Sequence, residues 1–105
     1  MNSKRKGSAG EREFAALLTA WGFPAHRNDQ TFVGGVGRPD VAAEGLEKYH
    51  FEVKRVERLN VPEAMKQAIA DASGKIPVVV HRRSREPWLV TMKLEDWLSQ
   101  IQDQA

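Results

Sequence analysis

Apolar residues recur along the chain with two periods, and the change from one to the other marks the elements. Phe14, Leu17, Leu18 and Trp21 fall at i, i+3, i+4 and i+7, which predicts an amphipathic helix from Ser8, whose hydroxyl can cap it, to Trp21, with Gly22 as its stop. Phe23 to Arg27 reads as a short strand, and Asn28 to Gly37, with Asn, Asp, Gln and three Gly, reads as a mobile loop. Strands are predicted next at Pro39 to Ala43 and at Tyr49 to Val56, with Glu44-Gly45 and Glu47-Lys48 as their hairpin connection. Helical spacing returns at Asn60, with Pro62 in the first turn and Glu63 three residues after the cap. Val61, Ala64, Met65, Ala68, Ile69 and Ala72 form its stripe, small enough to pack closely on a sheet, and Gly74 ends it.

Val78-Val79-Val80, inside a segment from Pro77 to His81, predicts a strand covered on both faces, and Pro87 to Met92 predicts another. Leu94, Trp97, Leu98 and Ile101 give a short closing helix. The order α-β-β-β-α-β-β-α implies an α/β fold, one mixed central sheet flanked by helices. With 105 residues, 41% hydrophobic and 29% charged, residues 1–105 are expected to form one domain, residues 1–7 being a flexible basic tail.

Composition then removes several classes of function. The absence of Cys excludes a disulfide framework, a thiolate zinc site and a cysteine nucleophile, and fits a reducing cytosol. No apolar stretch approaches about 18 residues and Met1 to Gly10 is not followed by a continuous apolar run, so neither a membrane span nor a signal peptide is expected, and the expected location is cytoplasmic. The net charge is only +2, yet the positive residues cluster: Lys4, Arg5 and Lys6; Lys54, Arg55 and Arg58; and Arg82, Arg83 and Arg85 beside His81. Such groups can line a phosphate-binding surface, and solvated loops and tails account for them equally well.

Chemistry concentrates in the hairpin. Strand alternation places Glu52 and Lys54 on one face and Phe51 and Val53 on the other, and pairing with the preceding strand can bring Asp40 beside Glu52. Two carboxylates with the backbone carbonyl of Val53 offer oxygen ligands to Mg²⁺ and leave positions open for a phosphate oxygen and a water. Lys54 would hold that water, help deprotonate it, or offset charge in the transition state. The competing reading is a cross-strand salt bridge between Lys54 and Asp40 or Glu52 on a solvated face.

On the first helix, Glu11 lies about 70° from the centre of the apolar stripe and Glu13 about 90° away on the other side, so either acid borders the buried face. A first-turn acid favoured by the helix dipole is the alternative for both. His26, His50 and His81 lack zinc-site spacing and receive no catalytic role, although His50 shares the face of Glu52. Gly34, Gly35 and Gly37 do not make a phosphate-cradling loop, since no Lys-Ser/Thr follows them. Trp88, Val90 and Met92 alternate along the late strand as core or dimer interface.

Lys6-Gly7-Ser8-Ala9-Gly10-Glu11-Arg12-Glu13-Phe14, Pro39-Asp40, Phe51-Glu52-Val53-Lys54 and Ile76-Pro77-Val78-Val79-Val80 together resemble, in order and spacing, the PD-(D/E)XK nuclease superfamily. Within it the chain is most similar to archaeal-type Holliday junction resolvases and small phage-encoded relatives, over about Lys6 to Trp97. The resemblance implies a restriction-endonuclease-like fold, with Glu11, Asp40 and Glu52 as metal-binding acids and Lys54 as the catalytic lysine. It implies Mg²⁺-dependent, or Mn²⁺-dependent, hydrolysis of a DNA phosphodiester leaving a 5′-phosphate, with no organic cofactor. Gln67 matches a polar position that faces the site in many members, an exposed helix Gln being the alternative.

Lys6, Arg12, Arg27, Arg38, Arg55 and Arg58 adjoin these motifs and are the expected phosphate contacts. A junction resolvase should act as a homodimer, because two symmetry-related strands are cut together. A nicking or flap-type nuclease of the same fold, and a DNA-binding module without turnover, are the alternatives.

Overall fold

The structure is a computed structural model that describes residues 3–28 and 39–104, with side chains from Ser8 onward; the side chain of Lys6, Arg38, and the loop predicted at Asn28 to Gly37 beyond Asn28 itself lie outside the described residues. The elements are α1 (Ser3–Ala20), β1 (Ala25–Arg27), β2 (Val41–Ala43), β3 (Tyr49–Arg55), α2 (Val61–Asp71), β4 (Ile76–Arg82), β5 (Leu89–Met92) and α3 (Leu94–Gln104), in the order expected from the sequence. They build a mixed five-stranded sheet in the order β1-β2-β3-β4-β5. Neighbours are antiparallel except β3 and β4, which run parallel because α2 carries the chain from one to the other. Among the described residues no helix is long and apolar enough to cross a membrane.

The first helix departs from its expected form in two ways. It begins at Ser3 rather than Ser8, so residues 3–7 are helical backbone and not a tail. Lys4, Arg5 and Lys6 are good helix formers, and one Gly does not break the run. Ser8 is consequently not a cap, and its Oγ accepts a hydrogen bond from Arg27 Nη2 at 3.2 Å. The end is as expected: Phe23 N–H bonds back to the Leu18 carbonyl at 2.9 Å across Gly22, whose φ of +98° only Gly adopts cheaply.

The second departure concerns the buried face of α1. Phe14, Ala15 and Leu18 pack on the sheet, whereas Leu17 is 38% and Trp21 76% exposed. The helix has already ended when the chain reaches Trp21, so that residue no longer follows the helical stripe. On a wheel of about 100° per residue, Glu11 then lies within about 15° of the mean direction of Phe14, Ala15 and Leu18. A carboxylate is thereby carried against the sheet.

Both faces of the sheet are covered. Toward α1 lie Val41, Phe51, Val53, Val78 and Val80, with Phe14 meeting Phe51 edge-on at 5.3 Å between ring centres. Toward α2 lies Val79 against Ala64 and Ala68, as the small-residue stripe requires. Trp88 and Met92 pack against the first core while Val90 is 65% exposed, so the alternating trio splits between core and surface. Asn60 caps α2, its side chain accepting from Glu63 N–H at 3.1 Å. The closing helix α3 buries none of its residues.

Candidate active site

The site forms where β2 and β3 part. Val41 pairs with Phe51, Asp40 N–H still donates to the Phe51 carbonyl at 2.9 Å, and Val53 N–H next along the strand is met by a side chain instead of backbone. That side chain is Asp40, whose Oδ2 accepts from Val53 N–H at 2.8 Å. A strand residue's N–H and C=O project to the same side, so the Val53 carbonyl also projects to the β2 side of the strand. Asn28 closes the approach from the other side, its N–H bonding to the Asp40 carbonyl at 2.9 Å and its side-chain amide donating to the Pro39 carbonyl.

Alternation along β3 puts His50, Glu52 and Lys54 on the face that α2 covers. Glu52 is buried, with Oε2 3.8 Å from Lys54 Nζ and Oε1 3.5 Å from His50 Nε2. Lys54 Nζ also donates to Gln67 Oε1 at 3.4 Å, so the α2 glutamine reaches Lys54 from an exposed position. Burial pushes the Asp40 carboxyl up to about 7, helped by repulsion from Glu52 and from Glu11; the Val53 N–H and Lys54 oppose the shift without cancelling it. Glu11 therefore faces the same space from α1, and its Oε1 accepts from Arg27 Nε at 3.1 Å.

Glu13, which the helical wheel barely separates from Glu11, does something else. It accepts from Arg55 Nε at 3.2 Å, from Trp88 Nε1 at 3.0 Å and from Arg82 Nη1, tying α1 to β3, β4 and the residue before β5. These partners lie 42 to 75 residues away in sequence, which is why no local pattern announces them.

Among the residues expected to meet phosphate, Arg27 and Arg55 are engaged with Glu11 and Glu13, whereas Arg12 is exposed on α1. Arg58 is exposed and lines a hollow of about 530 Å³ with Leu59, His81, Arg82 and Arg83, none of the site carboxylates belonging to it. His26 is exposed, and His81 pairs with Thr91 Oγ1 at 2.9 Å across β4 and β5. His50 is the surprise: fully buried, with neither ring nitrogen in a hydrogen bond.

Asp40, Glu52 and the Val53 carbonyl present hard oxygen donors on one side, and the mutual repulsion of the carboxylates is what a divalent cation would relieve. The donor chemistry therefore fits Mg²⁺ or Mn²⁺. Among the described residues no three His, Asp or Glu side chains already converge at ligand distance, and Arg27 holds Glu11.

A family model described as "Phage putative PDDEXK endonuclease" matches residues 2–105 of the chain. Among solved structures, the chain is similar to Hjc, a Holliday junction resolvase from Archaeoglobus fulgidus, with a TM-score of 0.59 and 24% identity, over 82% of this chain and 76% of that one. No curated protein matches the sequence.

Proposed function

Since the chain belongs to the phage PD-(D/E)XK endonuclease family, we propose that it hydrolyses DNA phosphodiester bonds with a divalent cation, Mg²⁺ or Mn²⁺, held by Asp40, Glu52 and the Val53 carbonyl, with Glu11 as a further ligand. The observation that carries this reading is the meeting of Asp40 and Glu52 in a partly buried place, close enough that the Glu52 charge helps to raise the Asp40 carboxyl, with the ammonium of Lys54 beside Glu52. A cation bound there supplies charge neutralisation at the scissile phosphate and makes water more acidic.

The chain's own groups prepare the rest. The Val53 N–H fixes Asp40 through Oδ2, which leaves Oδ1 as a ligand. Gln67 takes one hydrogen of the Lys54 ammonium and so orients the others, which can hold the attacking water or a phosphate oxygen. Water adds to phosphorus as the bond to the 3′ oxygen breaks, leaving a 5′-phosphate. Arg12 and Arg58 offer exposed charge to the flanking phosphates, joined by Lys6 and Arg38; Arg27 and Arg55 reach DNA by sharing or leaving their carboxylates.

We further propose a branched substrate and a homodimer. The fold of a junction resolvase supports the first, and the exposed apolar face of α3 supports the second. The test is cleavage of labelled four-way junction, flap, nicked duplex and linear duplex in Mg²⁺, with EDTA and Asp40→Asn as controls. Symmetric junction cutting, lost in both controls, is the expected result. Metal-dependent cutting of flap or nicked DNA alone would keep the chemistry and replace the substrate. Tight binding with no cutting of any of the four would replace the nuclease with a DNA-binding module. Lys54→Ala should abolish cleavage while DNA binding persists, and unchanged cleavage would remove Lys54 from the mechanism.

A further inference from the structure

His50 stands two residues before Glu52 on β3, on the same face, and is completely excluded from solvent. Its face of the sheet is the one that α2 packs on, where Ala64 and Ala68 let the helix lie close over Val79. An imidazole placed in such a space without partners is costly, and Leu or Met would fill it more favourably. Neither Nδ1 nor Nε2 makes a hydrogen bond, and the polar atom that Nε2 approaches is Glu52 Oε1, at 3.5 Å. That gap is a few tenths of an ångström beyond a good N–H···O bond.

A neutral imidazole carries one N–H, and with the hydrogen on Nε2 its only donor sits on the nitrogen nearest this oxygen. Glu52 then has two distinct ends: Oε1 toward the buried histidine, and Oε2 toward Lys54 at 3.8 Å and the open side of the site. Resting on the reading of Glu52 as a metal ligand, we infer that His50 is a positioning residue that holds Glu52 Oε1 through Nε2–H and presents Oε2 to the cation. A buried carboxylate on a flexible side chain would otherwise turn freely between Lys54 and the metal. Hydrogen bonds to metal-ligating carboxylates commonly change metal affinity about 10- to 100-fold when they are removed.

The test is direct Mn²⁺ binding, followed by the electron paramagnetic resonance signal of free Mn²⁺, for the wild type, Asp40→Asn, His50→Leu, His50→Gln and His50→Asn. The amide nitrogen of Gln falls near imidazole Nε2, whereas that of Asn falls near Nδ1. Wild type should bind Mn²⁺ and Asp40→Asn should not. His50→Leu and His50→Asn should bind about 10- to 100-fold more weakly, and His50→Gln should recover to within about threefold of wild type.

Wild-type affinity in a folded His50→Leu protein would overturn the inference and leave His50 as a space-filling residue. If the leucine variant does not fold, equal affinities of the Gln and Asn variants would overturn it instead. Failure of the wild type itself to bind Mn²⁺, alone and with DNA, would overturn the metal-dependent reading and this inference with it.

Discussion

Asp40 carries the largest electrostatic imbalance among the described side chains, and its consequence can be worked out for the metal-free protein. Its carboxyl ordinarily titrates near 3.8, while burial and the nearby Glu52 raise it to about 7 in the fold. The folded state thus holds this proton more tightly than the unfolded chain, so the contribution of Asp40 to stability is highest below about pH 4 and falls as the pH rises toward 7. Asp40→Asn keeps an acceptor for Val53 N–H and removes the charge. In EDTA at pH 8 the variant should be more stable than wild type by on the order of 2–4 kcal/mol, and the difference should vanish near pH 4. Thermal denaturation at the two pH values measures this, and equal stability at pH 8 would mean that burial and Glu52 do not disfavour the Asp40 carboxylate. Mn²⁺ should raise the wild-type melting temperature and leave that of Asp40→Asn unchanged.

At the scale of elements, the delivery of Glu11 depends on how closely α1 approaches β3. Gly10 is buried there, and a Cβ built on it would stand 2.8 Å from Arg55 Cβ, closer than side-chain carbons pack. Both partners belong to regular elements, so neither can yield locally. Gly10→Ala should push α1 away from the sheet, cost about 1–3 kcal/mol, and weaken Mn²⁺ binding by withdrawing Glu11. Denaturant unfolding together with Mn²⁺ titration tests it, and an unchanged protein would show that the contact relaxes without cost. Periodicity announced α1 but barely separated Glu11 from Glu13, and it was the resemblance of the motif that pointed to Glu11. Phe14 and Leu18 belonged to the true buried face, while Leu17 and Trp21 drew the inferred stripe toward solvent. Substituting Ala15, an unremarkable small residue, for those two turns the face toward Glu11.

The whole molecule leaves one side unfinished. Leu94, Trp97, Leu98 and Ile101 of α3 are each 45% or more exposed, and β5 adds Leu89 and Val90 beside the sheet's open edge. Against a second copy this surface would account for a helix that buries none of its own residues. Light scattering should give about twice the 11.8 kDa chain mass for the wild type, and Leu98→Asp with Trp97→Glu should return it to one chain while circular dichroism is unchanged. A wild-type monomer at concentrations that support cleavage would favour nicking or flap substrates over symmetric junction cutting.

Much of this protein was determined by local pattern. The element order, the doubly covered Val78-Val79-Val80 strand, the Asn60 cap and the shared face of Glu52 and Lys54 follow from periodicity and short-range chemistry, which need only a few neighbouring residues. Tertiary structure decided what depends on distant partners. The shortening of β2 lets Asp40 take the Val53 N–H, packing on Ala15 turns Glu11 inward, and Glu13 becomes a tie between α1 and the far strands. It also buried His50 completely beside Glu52, on the face that α2 packs against, because such burial depends on how closely elements distant in sequence pack and not on the residues next to the histidine.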